Sequence, residues 1–360
     1  MSNYRIAVIP GDGIGPEVIA EGVKTLECIT NLDPKLQFKW QFFSWGSEYY
    51  LDKGRMMPPE ALTILQKFDA IYLGAIGSPA VPDHISVRLV LDIRSAFDQY
   101  VNIRPIKLLP GVQSPLRDKN PGDIDLVIVR ENTEGEYSPV GGALFSNTSA
   151  EIAAQVNLFT RKGTERLMRY GFELAQSRDN KITSVTKSNA LLHSMVFWDK
   201  VFAHLIEDYP NVVANSMLVD AMAMHLILAP ENFDVVVTSN LFGDILSDLG
   251  AALIGGLGFA PSANLNPDEK YPPMFEPVHG SSPGLAGRKI ANPIAAIWAG
   301  SMMLDYLGER EWSRELLAAI EAVLLEGRIR TADIGGYSTT DEMGDAICEN
   351  LRQRVSRKGG

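Results

Sequence analysis

Pro10-Gly11-Asp12-Gly13-Ile14-Gly15-Pro16-Glu17 stands between a strand-like apolar run, residues 5–9, and a helical pattern. A strand, a glycine turn and a helix in that order invite a dinucleotide-binding reading. The spacing argues against it. The glycines fall as G-x-G-x-G and Pro16 follows, whereas the fingerprint needs G-x-G-x-x-G, whose third glycine lets the helix close on the strand. What remains is a glycine turn, either a plain βα connection or one whose backbone approaches a ligand. Pro16 occupies the place of a first helical residue, and Ile19, Val23 and Leu26 share one helical face behind it.

Outward from this turn, short apolar runs recur at residues 36–43, 70–73, 126–129, 181–185, 212–219 and 234–238. Helical patterns alternate with them. Leu316, Ile320, Val323 and Leu324 repeat at helical spacing and Gly327 follows as a stop. Thr339 and Glu342 have capping-box spacing ahead of Met343, Ala346, Ile347 and Leu351. Continuous apolar strands alternating with helices predict a largely parallel α/β sheet covered on both faces. Residues 135–157 stand apart, rich in Gly, Ser, Thr and Asn. Their composition favours a surface loop or hairpin over an arm that pairs with another subunit.

Composition narrows the function classes. A length of 360 residues suggests about two domains. Hydrophobic residues make up 46% and charged residues 21%, the balance of a soluble globular chain. The net charge of −11 disfavours nucleic acid, because phosphate is repelled at long range. Cys28 and Cys348 are too few for a disulfide framework or a cysteine zinc site and fit a reducing compartment. Residues 1–5 lack the features of a signal peptide, and the longest apolar region, 249–260, is too short and glycine-broken to cross a bilayer. A cytoplasmic protein without a membrane partner is expected.

Two groups of residues carry potential chemistry. In Asn240-Leu241-Phe242-Gly243-Asp244-Ile245-Leu246-Ser247-Asp248, the two aspartates are i, i+4 and share a helix face among apolar neighbours. Two carboxylates so placed repel each other, and a divalent cation with oxygen ligands, Mg²⁺ or Mn²⁺, would relieve them. The alternative is a solvated acidic pair near a helix N-terminus. Asp220 is a third candidate, at the end of the 212–219 run. The second group is basic: Arg94 on a helical stretch, Arg104 closing the run 100–103 before Pro105, and Arg130 closing the run 125–129. Each is either a surface ion-pair partner or part of a convergent site, and guanidinium groups grip carboxylates bidentately. In a chain of net charge −11, convergent arginines mark a site for a small polyanion. There is no Walker phosphate loop, no G-x-S-x-G elbow and no H-E-x-x-H motif.

Taken together these segments resemble the metal-dependent β-decarboxylating dehydrogenases, the isocitrate/3-isopropylmalate type, over nearly the whole chain from Arg5 to about Leu351. The helix motif 240–248 is the most specific. Arg130-Glu131-Asn132-Thr133-Glu134-Gly135-Glu136-Tyr137, Thr186-Lys187-Ser188-Asn189, Val219-Asp220-Ala221-Met222, Glu276-Pro277-Val278-His279-Gly280-Ser281 and the opening glycine turn support it. The resemblance implies roles by position. Arg94, Arg104 and Arg130 match arginines that bind the substrate carboxylates. Asp244 and Asp248 match metal ligands of one subunit, and Asp220 matches a ligand from its partner. Lys187 matches the base, also from the partner, and Tyr137 the acid that protonates the enol carbon. Ile14, Asn189, His279, Gly280, Ser281, Ser282, Asn292 and Asp333 match cofactor positions, with 279–292 the adenosine loop.

The fold implied is an open α/β sheet of the family's own type in two domains, not a Rossmann fold. Residues 1–101 and 255–360 would form the large domain with both termini, on the cofactor side. Residues 102–254 would form an inserted domain with the dimer interface, and 135–157 an intersubunit arm, against the reading from composition alone. The cofactors implied are NAD and Mg²⁺ or Mn²⁺, with K⁺ a further candidate. The partners implied are a small dicarboxylate and a second copy of the chain, in a homodimer with shared active sites.

Residues 43–50, 54–58, 82–86 and 97–100 look most like the tartrate/D-malate branch. After Asp83-His84-Ile85-Ser86, however, members of that branch continue Leu-Trp-Gly. This chain reads Val87-Arg88-Leu89-Val90-Leu91-Asp92-Ile93-Arg94, one residue shorter and without Trp. An apolar Val90/Leu91 wall would suit an alkyl substituent, as in 3-isopropylmalate, while Arg88 would bind a polar group or face solvent. Gly284 stands where related NAD enzymes often place Asp, and Gly284-Leu285 where NADP users often have Lys-Tyr. Three readings follow: a D-malate/tartrate dehydrogenase using NAD, a 3-isopropylmalate dehydrogenase, and a catalytically silent binding relative. The complete set of three arginines, three aspartates, Lys187 and Tyr137 disfavours the last.

Overall fold

The computed structural model describes residues 2–268 and 270–358. Its strands in chain order are β1 (Ser2–Gly11), β2 (Leu36–Phe42), β3 (Ala70–Ala75), β4 (Val101–Lys107), β5 (Asp125–Glu131), β6 (Gly141–Leu144), β7 (Ile152–Gln155), β8 (Lys181–Thr186), β9 (Val213–Leu218), β10 (Val235–Thr238), β11 (Pro261–Leu265) and β12 (Met274–Pro277). The chain divides into two compact units. One comprises Met1–Phe97, Lys107–Ile124 and Ala251–Gly360, and the other Asp98–Ile106 and Asp125–Gly250.

In the first unit the strands run β2-β1-β3-β12-β11. β1 pairs in parallel with β2 and β3, β12 is parallel to β3, and β11 is antiparallel to β12. Ile6, Ala7, Val8 and Ile9 are all fully buried. An unbroken apolar run is what a strand covered on both faces requires. Helix Gly15–Leu32 follows β1 and packs against helices Ile294–Tyr306 and Thr340–Lys358, with Arg310–Glu326 beside them. Gly327 ends the last of these in the left-handed conformation. The capping box closes as predicted: Thr339 N donates to Glu342 Oε2 at 2.8 Å and Glu342 N to Thr339 Oγ1 at 3.2 Å.

The opening glycine turn serves chain-to-chain approach. Gly11 and Gly13 have φ of 73° and 59°, and a Cβ on either would collide with the carbonyl of Ala75 or Ser281. Asp12 is an internal clamp: its carboxylate accepts from Ser47 N, Ser47 Oγ and Gly77 N at 2.7–2.8 Å. Residues 107–124, expected within the inserted domain, cluster with this unit instead. Leu108, Leu109, Val112 and Ile124 are buried there, and Gly111 lies directly against the Leu324 carbonyl.

In the second unit the order is β4-β5-β10-β8-β9, with β5, β10, β8 and β9 mutually parallel. β10 is buried throughout. Residues 135–157 contain the β6–β7 hairpin, whose eight strand residues are all exposed. All seven apolar runs form strands. β4, β11 and β12 were not anticipated as strands, and each contains or is bounded by proline: Pro105, Pro261 and Pro277. Proline lacks a ladder donor and argues against a strand when only sequence is read. Arg104 accordingly lies inside β4 rather than at the end of a run. Among the described residues no helix is long and apolar enough to cross a membrane.

Candidate active site

The second unit gathers its chemistry at the carboxyl ends of its parallel strands, where open α/β sheets bind ligands. Arg130 sits near the end of β5 and Thr238, opposite it, ends β10. Two residues later helix Asn240–Leu253 begins. The helix backbone crosses directly over the Arg130 side chain. A Cβ on Gly243 would lie 2.6 Å from Arg130 Cγ and would collide with Thr238 Oγ1 as well, so only glycine fits.

Arg130 is 1% exposed and fixed along its length. Nε donates to Asn240 O at 2.9 Å, Nη2 to Asn240 Oδ1 at 2.8 Å, and Nη1 to Asp244 Oδ1. Arg104 reaches the same carboxylate oxygen at 3.4 Å, while Nε donates to Asn102 Oδ1 at 2.8 Å and Nη1 to Ser247 Oγ at 2.6 Å. Tyr137 OH donates to the other Asp244 oxygen at 2.8 Å, and its ring lies under the Arg130 guanidinium at 5.5 Å. Asp248, one turn along the helix, stands 3.9 Å from Arg104.

Electrostatics follow from this crowding. Burial pushes the Tyr137 phenol up to about 12, and the hydrogen bond to Asp244 and its charge add to the rise, against Arg130 and Arg104. The phenol therefore stays protonated and able to donate. Asp248 is raised from the usual carboxylate value by burial, with Asp244 adding to it and Arg104 opposing. Two guanidinium charges face two carboxylate charges, so a dianion entering with a divalent cation leaves the site neutral, and neither alone does.

Lys187 follows β8, and Asp220 lies in the first turn of helix Val219–Leu228 after the neighbouring β9. Lys187 Nζ donates to Asp220 Oδ1 at 2.6 Å, and this bond lowers the Asp220 carboxyl below its usual value. Asp220 does not join Asp244 and Asp248. Among the described residues no three His, Cys, Asp or Glu side chains converge as a metal cage. Asn189 is on the exposed turn after Lys187.

The first unit holds the other candidates. Arg94 is buried and paired with Glu276 at 2.7 Å. Arg88, on the same helix, pairs with Asp92 at 2.9 Å and is 56% exposed, which leaves it facing solvent. A cavity of about 420 Å³ is lined by Ile14, Gly258, His279, Gly280, Ser282, Asn292 and Asp333, with apolar walls from Leu257, Leu285 and Ile290. Ser281 is buried behind it, its carbonyl accepting from Ile14 N at 2.8 Å. Asn292 is held by Asp333 at 2.9 Å. His279 is buried, with Nδ1 3.0 Å from the Gly280 carbonyl and Nε2 without a protein partner. Burial lowers its pKa, so the ring is neutral. An Nδ1–H donor leaves Nε2 as an orphaned buried acceptor.

Several supporting residues escaped reading by sequence although they stand inside the quoted motifs. Asn240 and Ser247 hold the two arginines, Glu276 holds Arg94, and Glu136 binds the helix start. Its carboxylate accepts from Ser239 Oγ at 2.8 Å and from Leu241 N at 3.1 Å. Only folding brings these partners together, so no spacing signals them.

An open, mostly parallel α/β sheet with this arginine–aspartate–tyrosine cluster defines a class, and the chain belongs to the isocitrate/isopropylmalate dehydrogenase family, whose model matches residues 5–347. It is 50% identical over 364 aligned positions to the D-malate dehydrogenase [decarboxylating] of Escherichia coli (strain K12), covering 97% of this chain and 99% of that protein. It is 49% identical over 359 positions to the tartrate dehydrogenase/decarboxylase of Pseudomonas putida, covering 97% and 98%. The crystal structure of isocitrate dehydrogenase from Methylococcus capsulatus superposes with a TM-score of 0.88 at 36% identity, covering 97% of this chain and all of that one. The expected non-Rossmann architecture is the one observed.

Proposed function

We propose that the protein oxidises a malate-type 2-hydroxy acid with NAD and removes its β-carboxylate, with D-malate or tartrate as substrate. The observation that carries this is the convergence of Arg104, Arg130 and Tyr137 on Asp244, together with half-identical relatives named for those substrates.

The residues present fit a divalent metal and NAD. Asp244 and Asp248 offer carboxylate oxygens at i, i+4 to Mg²⁺ or Mn²⁺, with Asp220 of a second subunit completing the set. The orphaned Nε2 of His279 can accept from an adenine amino group, and the apolar walls around it fit a flat base. When bound, the metal supplies Lewis acidity toward the substrate oxygens and NAD the hydride acceptor. Arg104 and Arg130 orient the carboxylates, with Arg94 as a third anchor. Lys187 from the partner takes the hydroxyl proton. Tyr137, held protonated, returns a proton to carbon after CO₂ departs. Gly284 is exposed with open space around it, so nothing built at that position favours a 2′-phosphate. Arg288 turns back to the Gly284 carbonyl at 3.5 Å.

A homodimer accounts for the surface of the second unit. Most of the exposed large apolar side chains among the described residues lie there: Leu144, Phe145 and Ile152 on the hairpin, Met224, Ile227 and Leu228 on the Asp220 helix, and Ile245 on the Asp244 helix. Such concentration marks an interface. The test is NADH formation with D-malate, tartrate and 3-isopropylmalate in the presence of Mn²⁺. Turnover of D-malate or tartrate is expected. Preference for 3-isopropylmalate would shift the substrate reading to that dehydrogenase, and no turnover of any of the three would refute the enzyme reading.

A further inference from the structure

The chain has two cysteines, 320 positions apart, and both are buried in the first unit. Cys28 lies on helix Gly15–Leu32 and Cys348 on helix Thr340–Lys358, and these two helices pack against each other. Cys28 Sγ donates to the Cys348 carbonyl at 3.6 Å, and Cys348 Sγ contacts the Lys24 carbonyl at 3.9 Å. Lys24 is one helical turn before Cys28, so the Cys348 sulfur lies over the turn that Cys28 closes. Each sulfur thus meets the backbone of the other's helix. Neither takes part in the chemistry assigned above.

We propose that Cys28 and Cys348 form a redox-responsive pair that closes to an intramolecular disulfide when the protein meets hydrogen peroxide. The Cys28 thiolate attacks one peroxide oxygen, the O–O bond breaks, and a sulfenic acid and one water result. The Cys348 sulfur then attacks the Cys28 sulfur. An S–S bond forms, the S–O bond breaks, and a second water leaves with the Cys348 proton. Two thiols are oxidised by two electrons and one peroxide is reduced to two waters.

The surroundings favour this order. The neighbouring Cys348 side chain pulls the Cys28 thiol down to about 7, and Cys28 and burial push the Cys348 thiol up. Arg352, one turn along from Cys348, adds positive potential at Cys28, with Glu349 opposing it. Burial decides the product. Cys28 and Cys348 are 4% and 3% exposed, so a sulfenic acid formed there meets the neighbouring thiol before any bulky thiol from solution. In a reducing compartment the pair rests as the dithiol, and oxidation staples two helices from opposite ends of the chain.

Intact-mass measurement and thiol titration in denaturant, after treating the native protein with hydrogen peroxide, test the pair. The expected product is a monomeric chain lighter by two hydrogens with no titratable thiol, restored by dithiothreitol. Its unfolding midpoint rises, because the closed loop restricts the unfolded chain. Cys348→Ser should divert Cys28 to oxygen-bearing products, and Cys28→Ser should leave Cys348 reduced under the same treatment. Persistence of both thiols, oxygen-bearing products on the native chain, or intermolecular disulfides would each overturn the proposal.

Discussion

Glu136 ties Tyr137 to the helix that carries Asp244 and Asp248, the two aspartates proposed as metal ligands, and its removal has a calculable cost. The side chain is 9% exposed. It accepts from the Ser239 hydroxyl and from the Leu241 amide, one of the unpaired N–H groups of the first turn of helix Asn240–Leu253. Hydrogen bonds to a charged partner are worth about 1.5–3 kcal/mol each, and a carboxylate at a helix N-terminus adds about 0.3–1 kcal/mol. These contributions overlap, so Glu136→Ala should destabilise by about 3–4 kcal/mol. For a unit of this size that lowers the calorimetric midpoint by about 10 °C. Because the lost anchor lies between Tyr137 and Asp244, kcat should fall by about 10²-fold, the cost of a shift of about 1 Å in a positioned group. Glu136→Gln keeps one acceptor oxygen and should recover part of both losses. A midpoint within about 2 °C of the parent, together with kcat within about twofold, would show that the carboxylate neither caps the helix nor positions the tyrosine.

Three other outcomes are expected. Asp244→Asn removes the carboxylate on which Arg104, Arg130 and Tyr137 converge, and metal-dependent turnover should drop by roughly 10³-fold in steady-state assays, while full activity would refute the metal assignment. Lys187→Ala and Tyr137→Phe chains, each inactive alone, should recover roughly a quarter of parental activity when mixed, because half the dimers are hybrids and each has one intact site; silence from verified hybrids would place both groups in one subunit. Burial holds His279 below its ordinary value of 6.5, so the unfolded chain binds its proton first as pH falls. That contribution to stability is constant above pH 6.5 and is lost below it, until the folded pKa is reached. Urea midpoints at about pH 7.5 and about pH 5.5 should therefore diverge less in His279→Gln, and equal divergence would assign the acid sensitivity elsewhere.

Sequence alone was informative wherever the signal is local. Seven runs became strands: in β3, β5 and β10 burial on both faces demands unbroken hydrophobicity, while β2 and β9, at the ends of the strand order, stay largely exposed. The Thr339–Glu342 box and the Gly327 stop are set by neighbours within one turn. The i, i+4 spacing of Asp244 and Asp248 put both on one helix face, and the wrong glycine spacing at Gly11 to Gly15 excluded the Rossmann fingerprint. Strands carrying prolines were lost because a missing donor speaks against a strand unless the neighbouring pairing is known.

Tertiary structure decided what depends on distant residues meeting. It put Arg104 and Arg130 on the same Asp244 oxygen from 140 and 114 positions away, and set Glu276 against Arg94 from 182 positions away. It made the glycines of the first turn serve close chain approach, and gave His279 its orphaned nitrogen. It also brought Cys28 to Cys348, of which composition says only that two cysteines are too few for a disulfide framework. A sequence records which groups are present and their local periodicity. Hydrogen-bond partners, burial and the resulting proton affinities exist only once the sheet has set its strand order, because each is fixed by atoms far away along the chain.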